Sequence, residues 1–128
     1  MAWKIKHTVV HAILESAKHT YPDEFIALLG GNNKEQTITE LVILPAIFGS
    51  EHAELRTDLL PFNANTVGSI HSHPGYSNRP SPEDLDTFAE LGPIHLIVCE
   101  PFTEHNMAAY DQNGRKIQLQ IVSEIQQK

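Results

Sequence analysis

Two histidines and an aspartate within residues 71–84 are side chains of the kind that a catalytic zinc ion needs. His71 and His73 are two positions apart, and Asp84 follows after a segment that contains Ser81. Catalytic zinc sites usually take three protein ligands and keep the fourth position for water. The combination of two imidazoles, a carboxylate and a hydroxyl therefore indicates a metal-dependent hydrolase, with His71, His73 and Asp84 as the zinc ligands.

A strand must position the two histidines. Residues 66–70 are rich in strand-forming types, and Pro74-Gly75 then ends the strand. Because side chains alternate across a strand, His71 and His73 point to the same face and can offer nitrogens to one ion. The sequence therefore predicts both imidazoles at the exit of a strand, where a substrate can reach them.

A helix must position the carboxylate. Residues 75–80 are turn formers and predict a surface loop. Ser81 then stands where an N-cap belongs, and Pro82 suits the first helical position, so Asp84 projects from the first turn. A serine followed three residues later by a carboxylate is also an ordinary helix start, similar to a capping box with Asp in place of Glu. The spacing to the histidines is what favours a metal site.

The complete pattern, His-x-His-x7-Ser-x-x-Asp, resembles the signature of the JAMM family, the metalloprotease form of the MPN domain found in deubiquitinating enzymes and their prokaryotic relatives. Residues 67–74 (VGSIHSHP) resemble that family's motif strand, and residues 81–85 (SPEDL) resemble the start of its motif helix. The resemblance implies one zinc ion and an α/β architecture, more narrowly the α+β, cytidine-deaminase-like MPN fold. That fold has a mixed, mostly antiparallel sheet flanked by helices.

The family also needs a glutamate upstream that acts as a general base. Glu24 matches this position, because residues 22–24 read Pro-x-Glu and directly precede a predicted strand. In the mechanism that the resemblance implies, Glu24 takes a proton from the zinc-bound water and later passes it to the leaving amine. The zinc ion and the Ser81 hydroxyl stabilise the oxyanion.

The resemblance also carries the prediction about the substrate. The compact chain looks most like archaeal or bacterial members of the family. For these the implied targets are isopeptide or linear bonds after the Gly-Gly end of ubiquitin-like or sulfur-carrier proteins. A diglycine tail has no side chains, so it can lie extended in a narrow groove and pair with a strand edge.

Composition excludes several other partners. Sixteen acidic and nine basic residues give a net charge of −7, which disfavours nucleic acid. The longest mostly apolar run, residues 41–48, is too short to span a bilayer, and the N-terminus lacks a signal-peptide core. A cytoplasmic protein without a membrane partner is expected. The single cysteine, Cys99, lies in an apolar run and excludes the Cys-x-x-Cys zinc set of nucleobase deaminases.

The length of 128 residues predicts one domain over residues 1–128. Apolar residues at helical spacing predict a first helix over residues 7–19, ahead of the motif helix. Besides the motif strand, strands are predicted over residues 25–29, 37–44, 94–99, 106–110 and 116–122. Residues 30–34 are the predicted hairpin loop, and the irregular residues 49–65 are a candidate for gripping substrate.

Two other functional classes stay open. The MPN fold also serves as a non-catalytic scaffold or as a binding module for ubiquitin-like proteins, and such versions usually lack some of the ligands. A metal-binding sensor with an inactive site is a further alternative. Because all the site residues of the pattern are present, the peptidase is the favoured hypothesis.

Overall fold

The computed structural model describes residues 2–43, 46–48, 53–55 and 65–125. Its helices are α1 (His7–Thr20), α2 (Pro82–Leu91) and a short 3₁₀ helix (Glu104–Asn106). Its strands are β1 (Trp3–Lys6), β2 (Ile26–Asn32), β3 (Thr37–Val42), β4 (Ala46–Phe48), β5 (Ala53–Leu55), β6 (Thr66–His73), β7 (Ile94–Cys99), β8 (Met107–Tyr110), β9 (Lys116–Ile117) and β10 (Leu119–Val122). No helix within the described ranges is both long enough and apolar enough to cross a bilayer.

Most of these strands form one mixed sheet in the order β10-β1-β3-β2-β6-β7-β8-β9, and β4 pairs with β5 as a separate hairpin. Within the large sheet, β1 pairs in parallel with β10 and β3, and β6 pairs in parallel with β7. Its remaining pairs are antiparallel. β6, which carries both histidines of the motif, therefore lies inside the sheet, with a hydrogen-bonded neighbour on each side.

The last two strands lie at opposite ends of this order, although only Gln118 separates them. Lys116–Ile117 pairs with β8, whereas Leu119–Val122 pairs with β1. Because one short segment reaches both ends, the sheet must curl until β8 and β1 lie close to each other. Such curling is the usual result of the twist that strands have in large sheets.

Helix α1 covers one face of the sheet. Its buried apolar side chains recur at helical spacing, and they are Val9, Val10, Ile13 and Ala17. They belong to a cluster with buried residues of the strands, among them Ile5, Ala27, Leu29, Ile70, Leu96 and Val98. Burial of each large side chain in such a core contributes roughly 1.5–3 kcal/mol. This core fixes the central strands on which the site is built.

Helix α2 packs elsewhere on the sheet through Phe88, which is fully buried in a small cluster with Ile97, Ala108 and Tyr110. The Phe88 ring stacks on His95 with 4.3 Å between ring centroids, and it meets the His71 ring edge-on at 6.2 Å. Phe88 lies one helical turn after Asp84. The packing that anchors α2 therefore also sets the place of the Asp84 carboxylate relative to His71.

His95 ties the end of α2 to the sheet. Its Nε2 lies 2.7 Å from the carbonyl oxygen of Gly92, the C-cap of α2, and its Nδ1 lies 2.7 Å from the Ser69 hydroxyl. A carbonyl can only accept, so Nε2–H donates to Gly92 and Nδ1 of the neutral ring accepts from Ser69. Gly92 has φ of 120°, and a Cβ there would lie 2.5 Å from the Val67 carbonyl oxygen, so only glycine fits this turn.

Because His95 is buried, we expect the protein to lose stability in mild acid. Burial lowers the pKa of His95 from 6.5 to about 4. Between these values the unfolded chain binds a proton that the folded protein does not, so the free energy of unfolding falls as the pH drops from 6.5 towards 4. The expected loss is on the order of 3 kcal/mol. Urea denaturation of the metal-free protein across this pH range measures it.

His95→Asn provides the control for this prediction, since an asparagine side chain does not take up the proton. The variant should be less stable near pH 7 and should show a shallower decrease of stability below pH 6.5. An unchanged pH dependence in His95→Asn would assign the acid sensitivity to other groups.

Most predicted elements are confirmed with shifted bounds. The helix predicted over residues 7–19 is α1, and Cys99 is buried in β7. The predicted hairpin loop at residues 30–34 is wrong in part, because a bulge between Gly30 and Gly31 lets the ladder continue to Asn32. In its place, residues 33–36 form the turn.

Other strand regions differ from the sequence prediction. β1 and the β4–β5 hairpin were not predicted, and β5 lies inside the segment 49–65 that was read as irregular. The rest of that segment, apart from Asn65, lies outside the described residues, as does Leu44 at the end of the strand predicted over residues 37–44. The proposed contact of residues 49–65 with substrate therefore stays a prediction.

Candidate metal and catalytic site

The two histidines of the motif occupy the last part of β6. His71 is buried, and the side chain of His73 is 17% exposed, so the strand carries the site from the interior towards solvent. Both rings reach the same carboxylate, as expected for side chains two residues apart on one strand. The sequence prediction that they share a face of the sheet is confirmed.

Asp84 lies between the two rings. Its Oδ1 is 3.2 Å from Nδ1 of His71, and its Oδ2 is 3.0 Å from Nε2 of His73. These three side chains therefore converge, although they are separated by a loop in the sequence. The 3.0 Å between Oδ2 and Nε2 of His73 is close to the separation of two ligands of one tetrahedral ion with bonds of about 2 Å.

A capping box places Asp84 at the start of α2. The Asp84 N–H donates to Oγ of Ser81 at 3.1 Å, and the Ser81 N–H donates to Oδ2 of Asp84 at 2.9 Å. The predicted N-cap, with Pro82 at the first helical position, is confirmed. The Asp84 carboxylate therefore has two roles, because the oxygen that accepts from the N-cap residue, Oδ2, also contacts His73.

The His73 ring and the Asp84 carboxylate each stabilise the charged form of the other. Burial acts to raise the pKa of Asp84, but hydrogen bonds from His71 and His73 outweigh it and hold that pKa well below its usual range. Burial acts to lower the pKa of His73, but the hydrogen bond and the charge of Asp84, together with the Ser77 carbonyl and the charge of Glu24, outweigh it and raise that pKa. Asp84 is therefore an anion at neutral pH, which is the form that binds a metal.

The His73 ring is oriented by a residue outside the predicted set. Nδ1 of His73 lies 3.1 Å from the carbonyl oxygen of Ser77, which can only accept, so Nδ1 carries the hydrogen. In the metal-free protein the protonated ring also donates from Nε2 to Asp84, whereas the neutral ring that would bind a metal keeps the hydrogen on Nδ1 and leaves the Nε2 lone pair for the ion. Metal-binding histidines commonly have such a partner on the other nitrogen. Sequence reasoning assigned Ser77 only to a loop, since a backbone carbonyl leaves no signal in the residue type.

The donor atoms of the site fit a metal ion. Nε2 of His71 is buried and has no hydrogen-bond partner among the described residues. An unpaired buried acceptor is costly, and a bound cation would remove that cost. Among the described residues, no three His, Cys, Asp or Glu side chains are already arranged around a common point as metal ligands. Asp84 instead contacts the two imidazole rings directly. The donor types fit zinc, and binding requires the carboxylate to exchange these bonds for the ion.

Glu24 lies in the connection between α1 and β2. Its Oε1 is 4.0 Å from Nε2 of His73, and its side chain is only 12% exposed. The antiparallel pairing of β2 with β6 places Ile26 opposite His71, so continuation of this register brings Glu24 opposite His73. A residue 47 positions upstream of His71 therefore reaches the same site.

Ser81 completes the group of five predicted side chains. Its Oγ accepts from the Asp84 N–H, and that bond does not use the hydroxyl hydrogen. The hydroxyl can therefore donate to a ligand while it caps the helix. The structure brings together all of the predicted residues, at the open end of β6 and the first turn of α2.

Comparison with known families and proteins gives a consistent result. The profile of the family described as "Prokaryotic homologs of the JAB domain" matches residues 6–112. A probable metalloprotease of Haloferax volcanii is 35% identical over 118 residues, with 85% of this chain and 73% of that protein covered. The five side chains of the site lie within the matched residues 6–112.

Solved structures of similar proteins share the architecture. One, described as "JAMM: a metalloprotease-like zinc site in the proteasome and signalosome", is 36% identical with a TM-score of 0.75, covering 95% of this chain and 99% of that one. A JAB1/MPN domain protein from Archaeoglobus fulgidus is 35% identical with a TM-score of 0.74, and the coverages are 94% and 97%. A protein from Desulfitobacterium hafniense, 18% identical with a TM-score of 0.69 and coverages of 95% and 94%, shares the fold.

Proposed function

We propose that this chain, which belongs to the family of prokaryotic homologues of the JAB domain, is a zinc metallopeptidase. One observation carries the proposal. The Asp84 carboxylate touches both motif imidazoles, and a second carboxylate, Glu24, lies 4.0 Å from His73. A site with one carboxylate among the ligands and another beside them suits metal-assisted hydrolysis.

His71, His73 and Asp84 are the proposed ligands of one zinc ion. Two nitrogens and one carboxylate oxygen are a usual set for catalytic zinc, which keeps a further position for water. Similarity to a probable metalloprotease and to a structure named for its zinc site supports the choice of metal. When bound, zinc supplies a Lewis acid that polarises the scissile carbonyl and makes the attacking water more acidic.

The side chains of the protein supply the proton transfers and part of the charge stabilisation. Glu24 accepts a proton from the attacking water and passes it to the nitrogen of the leaving amine. The Ser81 hydroxyl donates to the carbonyl oxygen as negative charge develops there. The half-buried position of Glu24 limits its contact with water, which favours one carboxyl group that serves first as base and then as acid.

Ser81→Ala should fold and bind zinc but hydrolyse substrate slowly. Loss of one oxyanion donor typically costs about 3 kcal/mol, or on the order of a hundredfold in kcat. The variant also loses the N-cap of α2, worth about 1 kcal/mol of stability. Steady-state kinetics and thermal melting separate these two effects.

Ser81→Thr is the matched control, because threonine keeps both the cap and the hydroxyl donor. It should retain most of the turnover and of the stability. If Ser81→Ala turns over as fast as the native protein, Ser81 acts only as a helix cap.

The proposed substrates are ubiquitin-like or sulfur-carrier proteins, cleaved after a C-terminal Gly-Gly. The family resemblance supports this class. A physical argument agrees with it, since a tail without side chains can approach a buried carboxylate and two rings more closely than a bulky one. The isopeptide and linear forms of the bond present the same acyl group to the site.

Cleavage of defined fusions tests the function. The native chain is incubated with ubiquitin-like proteins joined through Gly-Gly either to a linear extension or to a lysine side chain, and the products are identified by mass spectrometry. Cleavage after the second glycine should stop with a chelator and return with added zinc. A protein with one zinc per chain that cleaves neither linkage would contradict the peptidase proposal and favour a binding or sensing role.

A further inference from the structure

We propose that Ser72 is a positioning residue for Glu24, because its buried hydroxyl fixes the backbone that carries the general base. Ser72 lies between the two motif histidines and contributes no ligand to the site described above. The inference rests on the peptidase activity and on the role of Glu24 proposed in the preceding subsection.

One serine holds both backbone groups of the residue that follows Glu24. The Phe25 N–H donates to Oγ of Ser72 at 2.7 Å, and the Ser72 N–H donates to the carbonyl oxygen of Phe25 at 2.8 Å. Ser72 is 1% exposed, so water does not compete for its hydroxyl. The peptide units on both sides of Phe25 are therefore tied to the strand that carries His71 and His73.

The side-chain bond stands at the point where a backbone bond would normally be. In an antiparallel ladder, two directly opposed residues exchange N–H···O=C bonds in both directions. Phe25 and Ser72 are opposed in the register set by Ile26 and His71, and the Ser72 N–H makes the regular bond to the Phe25 carbonyl. In the other direction, the hydroxyl of Ser72 accepts from the Phe25 N–H.

The Phe25–Ser72 contact lies between the Ile26–His71 pair of the ladder and the Glu24–His73 contact of the site. Continuation of the register brings Glu24 opposite His73, where Oε1 and Nε2 are 4.0 Å apart. The length of the Phe25–Ser72 contact thus helps to set the separation of the two strands next to the site. A change there moves the Glu24 carboxylate relative to the metal ligand opposite it.

The Phe25 side chain holds the segment from another side. It is 4% exposed and belongs to the core cluster that also contains residues of α1. Because neighbouring side chains in extended backbone point to opposite faces, Phe25 enters the core while Glu24 points to the site. The Ser72 hydroxyl then restrains the backbone, which the core contact of the ring does not restrain by itself.

Ser72→Ala and Ser72→Thr test this role. We measure kcat and KM on the Gly-Gly fusion, the zinc content, and the hydrogen exchange of the Phe25 amide in the metal-free protein. Misplacement of a catalytic group by about 1 Å can lower turnover on the order of a hundredfold, so kcat of Ser72→Ala should fall roughly 10- to 100-fold. KM should change less than about threefold, since substrate contacts are not removed. Zinc should stay at one ion per chain, and the Phe25 amide should exchange faster.

The threonine variant separates positioning from a general loss of stability. Threonine keeps the hydroxyl and suits a strand, so Ser72→Thr should restore both the turnover and the slow exchange of the Phe25 amide. Ser69→Ala is a matched control, because Ser69 is also a buried serine of β6, but its hydroxyl bonds to His95. This control should melt at a lower temperature and keep kcat within about twofold.

Three results would overturn the inference. They are an unchanged kcat in Ser72→Ala, an equal loss of kcat in Ser69→Ala, or a loss of kcat without faster exchange of the Phe25 amide. Failure of the peptidase proposal looks different, because the native protein itself would then cleave no fusion. The exchange of the Phe25 amide is read in the metal-free protein and does not depend on that activity.

Discussion

Glu24→Ala should bind zinc normally and lose nearly all turnover. The carboxylate lies 4.0 Å from Nε2 of His73 and outside the proposed ligand set, so its removal leaves the three ligands in place. General acid–base catalysis by a positioned side chain typically contributes 10²- to 10⁴-fold. We expect kcat to fall by a factor in this range. Zinc content, measured on the purified variant, should remain at one ion per chain.

Two further variants sharpen this prediction. Glu24→Gln keeps the size and polarity of the side chain but cannot accept the proton, so it should be about as slow as Glu24→Ala. Glu15→Ala removes a carboxylate on the exposed part of α1, where Glu15 faces Lys18, and should be fully active. Chelator-sensitive activity at the native level in Glu24→Ala would show that another group transfers the proton.

Asp84→Asn and Asp84→Ala should separate the role of Asp84 as a metal ligand from its role in the capping box of α2. The asparagine amide oxygen can still accept from the Ser81 N–H, so Asp84→Asn keeps the capping box but loses the anionic ligand. Its zinc affinity should fall by more than about 100-fold, because even the loss of an outer partner of a ligand costs 10- to 100-fold. Competition with a chromogenic chelator measures this change.

Asp84→Ala should lose the metal and also destabilise α2. The variant keeps the Ser81 N-cap but loses the reciprocal bond from the Ser81 N–H, so without metal it should be less stable than Asp84→Asn by roughly 0.5–1.5 kcal/mol. Asp86→Ala, at an exposed position of the same helix, is the control and should alter neither property. Zinc binding of native affinity in Asp84→Asn would exclude the carboxylate as a ligand.

The local part of the site could be predicted from the sequence because its geometry follows from short-range rules. Alternation along a strand places His71 and His73 on one face, and the N-cap position of Ser81 places Asp84 in the first helical turn. Neither rule depends on residues far away in the chain. The meeting of the strand with the helix did require the family resemblance, since the loop of residues 74–80 could lead in several directions.

The long-range contacts were beyond sequence reasoning. The bond between Phe25 and Ser72 depends on the register between β2 and β6, and no feature of either residue type reveals that register. Ser72 looks like a neutral spacer between two ligands. Only the structure reveals that a buried hydroxyl serves as a ladder acceptor beside Glu24.

Strands were missed or merged in the sequence prediction for the same reason, because their pairing partners are distant in the sequence. β1 has only four residues, two of them lysine, so its apolar pattern is short. Its strand character comes from parallel pairing with β3 and β10, both distant in sequence. The segment 116–122 was predicted as one strand, but it serves two partners because the sheet curls, and no local pattern indicates that division.

The segment on both sides of Gln118 affects how the protein behaves at high concentration. A row of strands usually ends in bare peptide groups, which a second polypeptide can use as a template for fibril-like growth. In the large sheet described here, Lys116–Ile117 and Leu119–Val122 occupy both terminal places, and each is only a few residues long. The strands next to them, β1 and β8, are flanked by neighbours on each side, so self-association through strand addition is disfavoured.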